Sequence, residues 1–189
     1  MEYKIPVGIS NKHVHLTKET YQQLFDEPLE IEKNLSQIGE FASNQFVDLK
    51  TSSNLLKKVR IVGPFRSYNQ VEICKSDAYL LGLNPPVRKS GDLKNAETIT
   101  VVGPKGEITL EQACILAERH VHMNTKDLKK YQVKDNDLVQ IKIDGPRSAL
   151  LDAYIKSSEN GVLELHLDRD EANALLLEKN AEVTVFYDV

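Results

Sequence analysis

The sequence contains no tryptophan and only two cysteines among its 189 residues. Cys74 and Cys114 lie far apart and form no Cys-x-x-Cys pair, so thiol metal chemistry has no spacing signal here. Neither adjoins a histidine, and both are expected to be packing residues with buried thiols rather than nucleophiles or a disulfide. No apolar run approaches the roughly 20 residues of a membrane-spanning helix. The first seven residues lack the basic and apolar regions of a secretory signal, so a cytoplasmic protein is expected. The excess of basic charge that marks nucleic-acid or anionic-membrane binding is also missing: the net charge is −4 with both signs interspersed. That balance still allows a small anionic substrate held by a local cluster of Lys and Arg. No Gly-x-Ser-x-Gly elbow is present, and Gly103-Pro104-Lys105-Gly106 lacks the spacing and context of a phosphate loop.

What remains is an ordinary soluble mixture, 41% apolar and 28% charged, long enough for one large domain or two small ones. The chain repeats itself. Asn11-Lys12-His13-Val14-His15-Leu16-Thr17 resembles Glu118-Arg119-His120-Val121-His122-Met123-Asn124, and Val59–Arg66 is matched to Val139–Arg147, each ending in Gly-Pro and Arg. A third match sets Val71-Glu72-Ile73 on Leu165-His166-Leu167. Laying the following Asp77-Ala78 on Glu171-Ala172 puts Glu72 at the position of His166. The preserved order points to internal duplication and two similar lobes.

Most segments read as short strands: Lys4–Ile9, Val59–Val62, Gln70–Ile73, Thr98–Val102, Leu138–Ile143, Ala149–Ile155, Val162–Leu167 and Glu182–Tyr187. Gly103–Gly106 reads as a hairpin turn. Helix starts are expected at Thr17, capping Lys18–Phe25, and at Asp168 with Glu171. Another is expected at Thr109 with Gln112, before a run ending near Glu118. The fold class is therefore mainly β: two similar small β-barrels capped by short α-helices.

Four of the five histidines form the two His-Val-His triplets. In a strand, residues i and i+2 share a face, so each triplet presents two imidazoles on one side. Glu72 and His166 supply a third candidate ligand to each lobe. The sets are His13, His15 and Glu72, and His120, His122 and His166. Three protein ligands with an open position is the pattern of a catalytic metal, and nitrogen-rich ligation favours zinc over manganese, iron or cobalt. Arg66 and Arg147 follow Gly-Pro turns, where a guanidinium can hold a phosphate with paired hydrogen bonds. Glu72 lies close enough behind Arg66 for a short hairpin to bring both to one pocket. Alone, these features suit a metal-dependent hydrolase of esters or thioesters equally well, and a binding module with structural metals remains open.

Over 5–185 the sequence resembles the PduL-type phosphate acyltransferases. The matching pieces are Ile5–Leu16, Leu35–Ala42, Val59–Arg66, Gln70–Ile73, Arg88-Lys89-Ser90-Gly91, Ala117–Met123 and His166–Asn173. The resemblance implies two helix-capped barrels with two zinc ions in a site between them. The first lobe would span 12–117, and the N-terminal strand would join the second, 1–11 plus 118–189. It implies exchange of coenzyme A for inorganic phosphate on a short acyl group such as propanoyl or acetyl, reversibly. The six ligands carried over are those of the repeat. Arg66 matches the phosphate-binding, catalytic arginine. Ile9, Ser10, Asn11, Arg60 and Asn173 match coenzyme A contacts, and Gln37, Gln70 and Ser90 match pocket residues. A homodimer without nucleic-acid or membrane partners is expected. Two departures stand out. Thr51-Ser52-Ser53-Asn54 replaces the family's Gly-Pro-Lys-Gly turn, with Ser53 where a lysine would contact coenzyme A. The amphipathic N-terminal extension of microcompartment members is not seen, so a free cytoplasmic enzyme is expected.

Overall fold

The structure is a computed structural model and describes residues 2–178 and 181–187. The chain begins with β1 (Glu2–Ser10), β2 (His13–His15), α1 (Lys18–Leu24), β3 (Ile31–Asn34), β4 (Phe41–Lys50) and β5 (Leu55–Gly63). It continues through β6 (Gln70–Glu72), α2 (Lys75–Leu81), β7 (Val87–Arg88), β8 (Glu97–Gly103) and β9 (Gly106–Ala117). The rest comprises β10 (His120–Met123), α3 (Thr125–Tyr131), β11 (Leu138–Ile143), β12 (Ala149–Ser157), β13 (Glu164–Asp168), α4 (Arg169–Leu175) and β14 (Glu182–Phe186). Two compact units form. One, the His13 lobe, is Asn11–Leu35 with Gly39–Ala117; the other, the His120 lobe, takes the segment up to Ser10, Ser36–Ile38 and the chain from Glu118 onward.

In the His120 lobe six strands close a barrel in the order β1-β13-β10-β12-β11-β14. Alternation explains its core: β11 buries Val139, Ile141 and Ile143 and exposes the residues between, while β1 turns Ile5 and Val7 inward. Burying each such side chain contributes about 1.5–3 kcal/mol, before the chain entropy that opposes it. In the His13 lobe, β4-β5-β2-β6-β9-β8 closes the same way, because β8 pairs with both β9 and β4. Strand β3 adds to the edge of β4 and β7 to β9. Val14, Leu49, Val59, Ile61, Val71 and Val101 fill this second core.

The two barrels share one plan. Each His-Val-His strand pairs in parallel with one neighbour and antiparallel with another: β2 with β5 and β6, β10 with β12 and β13. The ring is completed by β9 in one lobe and β1 in the other, so each of these strands leads directly into the other lobe's His-Val-His strand. This identity of strand order is what a duplication leaves behind. It also corrects one match within the repeat. Strand β5 corresponds to β12, whereas β11 corresponds to β4, so Val59–Arg66 and Val139–Arg147 are not equivalent and Arg147 is not the counterpart of Arg66. A Gly-Pro turn after a β-branched strand is local chemistry that recurs without common position.

Helix signals are met in part. Thr17 Oγ1 accepts from the Thr20 N–H at the start of α1, and Asp168 and Glu171 cap each other's backbone at α4. Each second helix is further tethered by the cation before the histidine triplet: Lys12 Nζ lies 2.9 Å from Asp77, and Arg119 Nε 2.5 Å from Glu171. The helix expected after Thr109 is absent; Gly106–Ala117 is the long strand β9. Leu110, Ala113 and Cys114 are buried at helix-like spacing because Gln112, at φ 47°, interrupts the strand's alternation. Strands β3 and β4 had no sequence signal; β4 carries polar Asn44 and Gln45 mid-strand and two register shifts against β5. Among the described residues no helix is long and apolar enough to cross a membrane.

Candidate active site

Strand register builds both metal-ligand clusters. In the His13 lobe, His13 stands opposite Glu72 and His15 opposite Gln70. In the His120 lobe, His120 stands opposite His166 and His122 opposite Glu164. Each triplet's central valine points into its core, fully buried, so the histidines share the other face. The ligand atoms of His13, His15 and Glu72 lie within 4.8 Å of one another, as do those of His120, His122 and His166.

The hydrogen bonds test whether a cation fits. His13 Nδ1 meets the Asn11 carbonyl at 2.7 Å, His15 Nδ1 the Val62 carbonyl at 3.0 Å, and His120 Nδ1 the Glu118 carbonyl at 2.7 Å. A carbonyl only accepts, so these Nδ1 atoms carry the proton and a neutral ring is left with a lone pair on Nε2. Yet the Nε2 atoms of His13 and His15 are 3.2 Å apart, and those of His120 and His122 3.1 Å. In the His13 pair, two lone pairs facing at that distance repel unless something positive lies near both. Adjacent corners of a tetrahedral site with 2.0–2.1 Å bonds are about 3.3 Å apart. The donor set therefore fits zinc. Burial, then His13 and Arg66, hold the His15 ring well below the usual imidazole pKa. Burial, then His166, His120 and Lys156, push His122 down to about 2. Both rings stay in the neutral form that binds metal.

Beside Glu72, a continuous polar chain runs through the His13 lobe. Gln70, fully buried, donates from Nε2 to Glu72 Oε1 at 2.5 Å and to Ser90 Oγ at 2.9 Å, and its Oε1 accepts from the Gly91 N–H. Arg66 donates to the same Ser90 Oγ at 3.0 Å, to the Tyr68 hydroxyl at 3.1 Å and to Glu40 Oε1 at 3.0 Å. The guanidinium is thus aimed and partly exposed beside a metal-ligand cluster, and both of its terminal nitrogens make contacts that a small oxyanion could replace.

A family model for phosphate propanoyltransferase matches residues 6–178. The phosphate propanoyltransferase of Thermotoga maritima is 42% identical over 177 residues, covering 92% of this chain and 84% of that protein. That of Limosilactobacillus reuteri is 43% identical over 174 residues, 90% and 81% respectively, and that of Shewanella putrefaciens 44% over 173, 90% and 82%. The chain belongs to the phosphate propanoyltransferase family. It is accordingly an acyltransferase.

The other residues that the family resemblance singles out fall in two groups. Ile9 and Ser10 end β1, and Asn173 lies exposed on α4, all in the His120 lobe. Arg60 and Asn11 belong to the His13 lobe. The Arg60 guanidinium packs over the Phe46 ring, 4.4 Å from its centroid, and is bonded to Glu32 and the Ser43 carbonyl. Ser53 sits in the turn joining β4 and β5, held to Thr51 Oγ1 through its backbone N–H. Gln37 belongs to the His120 lobe, where its amide clamps both the N–H and C=O of Val162 at 3.0 Å, and Gln70 and Ser90 belong to the His13 lobe. Arg147 donates to the Ala174 carbonyl of α4 and is exposed.

Several site residues escaped sequence reasoning. Glu40 and Tyr68 hold Arg66, and Lys156 is the register partner of His122. Glu164 binds His166 Nε2 at 2.7 Å and takes the Ser36 hydroxyl at 2.6 Å. Burial alone would raise its pKa, but the hydrogen bonds from His166 and Ser36 outweigh that and lower it. The signal for Glu164 was the same i, i+2 spacing that marks the histidine triplets. Cys74 and Cys114 are buried and not joined in a disulfide, and burial, then Glu97, pushes the Cys114 thiol up to about 12.

Proposed function

We propose that this chain transfers a short acyl group, propanoyl or acetyl, reversibly between coenzyme A and inorganic phosphate, using two zinc ions, one in each lobe. The observation that carries this reading is the chain Arg66–Ser90–Gln70–Glu72, which couples an oxyanion-binding guanidinium to one ligand cluster. His13, His15 and Glu72 would hold one zinc, and His120, His122 and His166 the other. Bound zinc would supply Lewis-acid charge to oxygens of the phosphate and of the acyl carbonyl.

The protein's own contribution is placement. Arg66 receives phosphate with two N–H groups, and Ser90 and Tyr68 set the guanidinium's plane. Ile9, Ser10, Asn11, Arg60 and Asn173 are proposed to hold coenzyme A. Fixing both reactants removes an orientation cost of up to about 7–11 kcal/mol. A phosphate oxygen then attacks the acyl carbon, the carbon–sulfur bond breaks with its electron pair leaving on sulfur, and the proton of hydrogen phosphate ends on the thiol. Direct transfer is favoured because both thiols are buried and Cys114 stays protonated, which leaves no cysteine ready to carry the acyl group.

The test is release of free thiol from propanoyl-CoA and acetyl-CoA with and without phosphate, with acyl phosphate measured as the product. Release is expected only with phosphate and only in metal-loaded protein. Phosphate-independent release without acyl phosphate would mark a hydrolase and overturn the proposal.

A further inference from the structure

The two ligand clusters differ in charge. One contains the carboxylate of Glu72; the other holds three imidazoles and no acid. Strand β13 nevertheless carries an acid one same-face step before its histidine. Glu164 stands opposite His122 as Gln70 stands opposite His15, and His166 stands opposite His120 as Glu72 opposite His13. The four-residue arrangement is therefore the same in both lobes, with the carboxylate moved by one step. In each, the two side chains on that strand bond to one another, Gln70 to Glu72 at 2.5 Å and Glu164 to His166 at 2.7 Å.

The surroundings are built to keep Glu164 there. Ser36 Oγ donates to Glu164 Oε2 at 2.6 Å and Gln37 Nε2 approaches it at 3.5 Å, with Gln37 itself clamped on the Val162 backbone. Gly8, beside His166 in the β1–β13 pair, leaves the space: a Cβ at Gly8 would lie 2.7 Å from the Glu164 carboxyl carbon. A glycine inside a strand weakens it and marks a close approach of this kind. In the other barrel the equivalent position, beside Glu72, is Ile115.

We propose that Glu164 is a positioning residue of the three-histidine metal site. Its carboxylate meets His166 Nε2 at 2.7 Å and so fixes the orientation of that ring. It also brings to this site the negative charge that the other lobe has in Glu72. The proposal rests on the two-zinc reading. A carboxylate behind a ligating histidine raises the ring's basicity, and its loss costs about 10–100-fold in metal affinity.

The experiment titrates metal-free protein with zinc against a chromophoric chelator, in wild type, Glu164→Gln and Glu164→Ala. Each is repeated in a His13→Ala background, which removes the other lobe's site. Wild type should bind two equivalents. Both Glu164 variants should weaken one of the two about 10–100-fold, Ala more than Gln, and the same weakened equivalent should remain in the His13→Ala background. Cobalt substituted at that site should show shifted visible absorption in the variants, which a change in packing alone would not produce. Glu164→Gln keeps the size of the side chain and an acceptor for Ser36, so it carries the test if Glu164→Ala does not fold. Unchanged affinity and unchanged cobalt absorption in the variants overturn the role of Glu164 while the two-zinc reading stands. A wild type that binds fewer than two equivalents overturns both.

Discussion

Gln70 donates its amide hydrogen to Glu72 Oε1 at 2.5 Å, and the same nitrogen reaches Ser90, which also receives Arg66. One fully buried amide thus orients a candidate metal ligand and a candidate phosphate-binding group together. Gln70→Met preserves volume but strips the bonds to Glu72 and Ser90 and leaves the Gly91 N–H without its acceptor. Stability should fall by about 1–3 kcal/mol, the cost of unsatisfied buried polar groups. Zinc affinity in the His13 lobe should drop about 10-fold or more, together with kcat/KM for phosphate. Urea unfolding, zinc titration and initial rates on one preparation check all three, and a variant with wild-type zinc affinity and phosphate kinetics would deny Gln70 the double role.

Cys74→Ala with Cys114→Ala should keep most of the activity. Both thiols are buried in the His13 lobe, and the Cys114 thiol, pushed up to about 12, is protonated at neutral pH and unfit to accept an acyl group. The small cavities left should cost on the order of 1 kcal/mol each. Complete loss of turnover in a folded, zinc-loaded double variant, with an acyl-thioester trapped on the wild type, would replace direct transfer by a covalent route.

Metal-free protein should lose stability as pH falls below about 6.5. Burial depresses the folded pKa of His15, and takes that of His122 to about 2, while an imidazole in the unfolded chain titrates near 6.5. The unfolded state therefore binds more protons in this window. The contribution of the two rings is complete above the unfolded value and declines toward the depressed folded values. Two groups give a slope of up to about 2.7 kcal/mol per pH unit. Urea midpoints of chelator-treated protein at about pH 7.5, 6 and 5 measure it, and His122→Gln should reduce the slope by up to half. A flat profile would mean that these rings are not held neutral.

The histidine triplets, their third partners and most strands were legible because a strand's period of two is a strong, local signal. Alternation in Leu138–Ile143 fixes a face without any knowledge of neighbours, and the match of Glu72 with His166 becomes register once β6 and β13 pair. What failed was interrupted periodicity. Gln112 in β9 shifts the alternation, so Leu110, Ala113 and Cys114 imitate a helix face. Asn44 and Gln45 hide β4 in the same way. The partners of Arg66 were out of reach for a different reason: Glu40 and Ser90 lie 26 and 24 positions from it and meet it only through the fold. The Gly-Pro-Arg of Arg147 looked equivalent because turn chemistry is local, whereas equivalence is a property of strand order.

Arg66 and Arg147 therefore make opposite predictions. Arg66 is aimed by Ser90, Tyr68 and Glu40 beside the Glu72 cluster, whereas exposed Arg147 donates to the Ala174 carbonyl of α4. Arg66→Lys keeps the charge but loses the planar two-point contact that a guanidinium offers an oxyanion. Loss of one charge-assisted hydrogen bond, about 1.5–3 kcal/mol, corresponds to roughly 10- to 150-fold in catalytic efficiency. The loss should appear in kcat or in the KM for phosphate, with acyl-CoA binding and zinc content near wild type. Arg147→Lys should change either rate term less than about twofold and stability by no more than about 0.5 kcal/mol, as for an ordinary surface position. Steady-state kinetics with phosphate varied at saturating acyl-CoA decide the matter. If Arg66→Lys and Arg66→Ala both retain wild-type phosphate kinetics, the guanidinium serves only to tie Glu40 and Ser90 together, and phosphate is bound elsewhere.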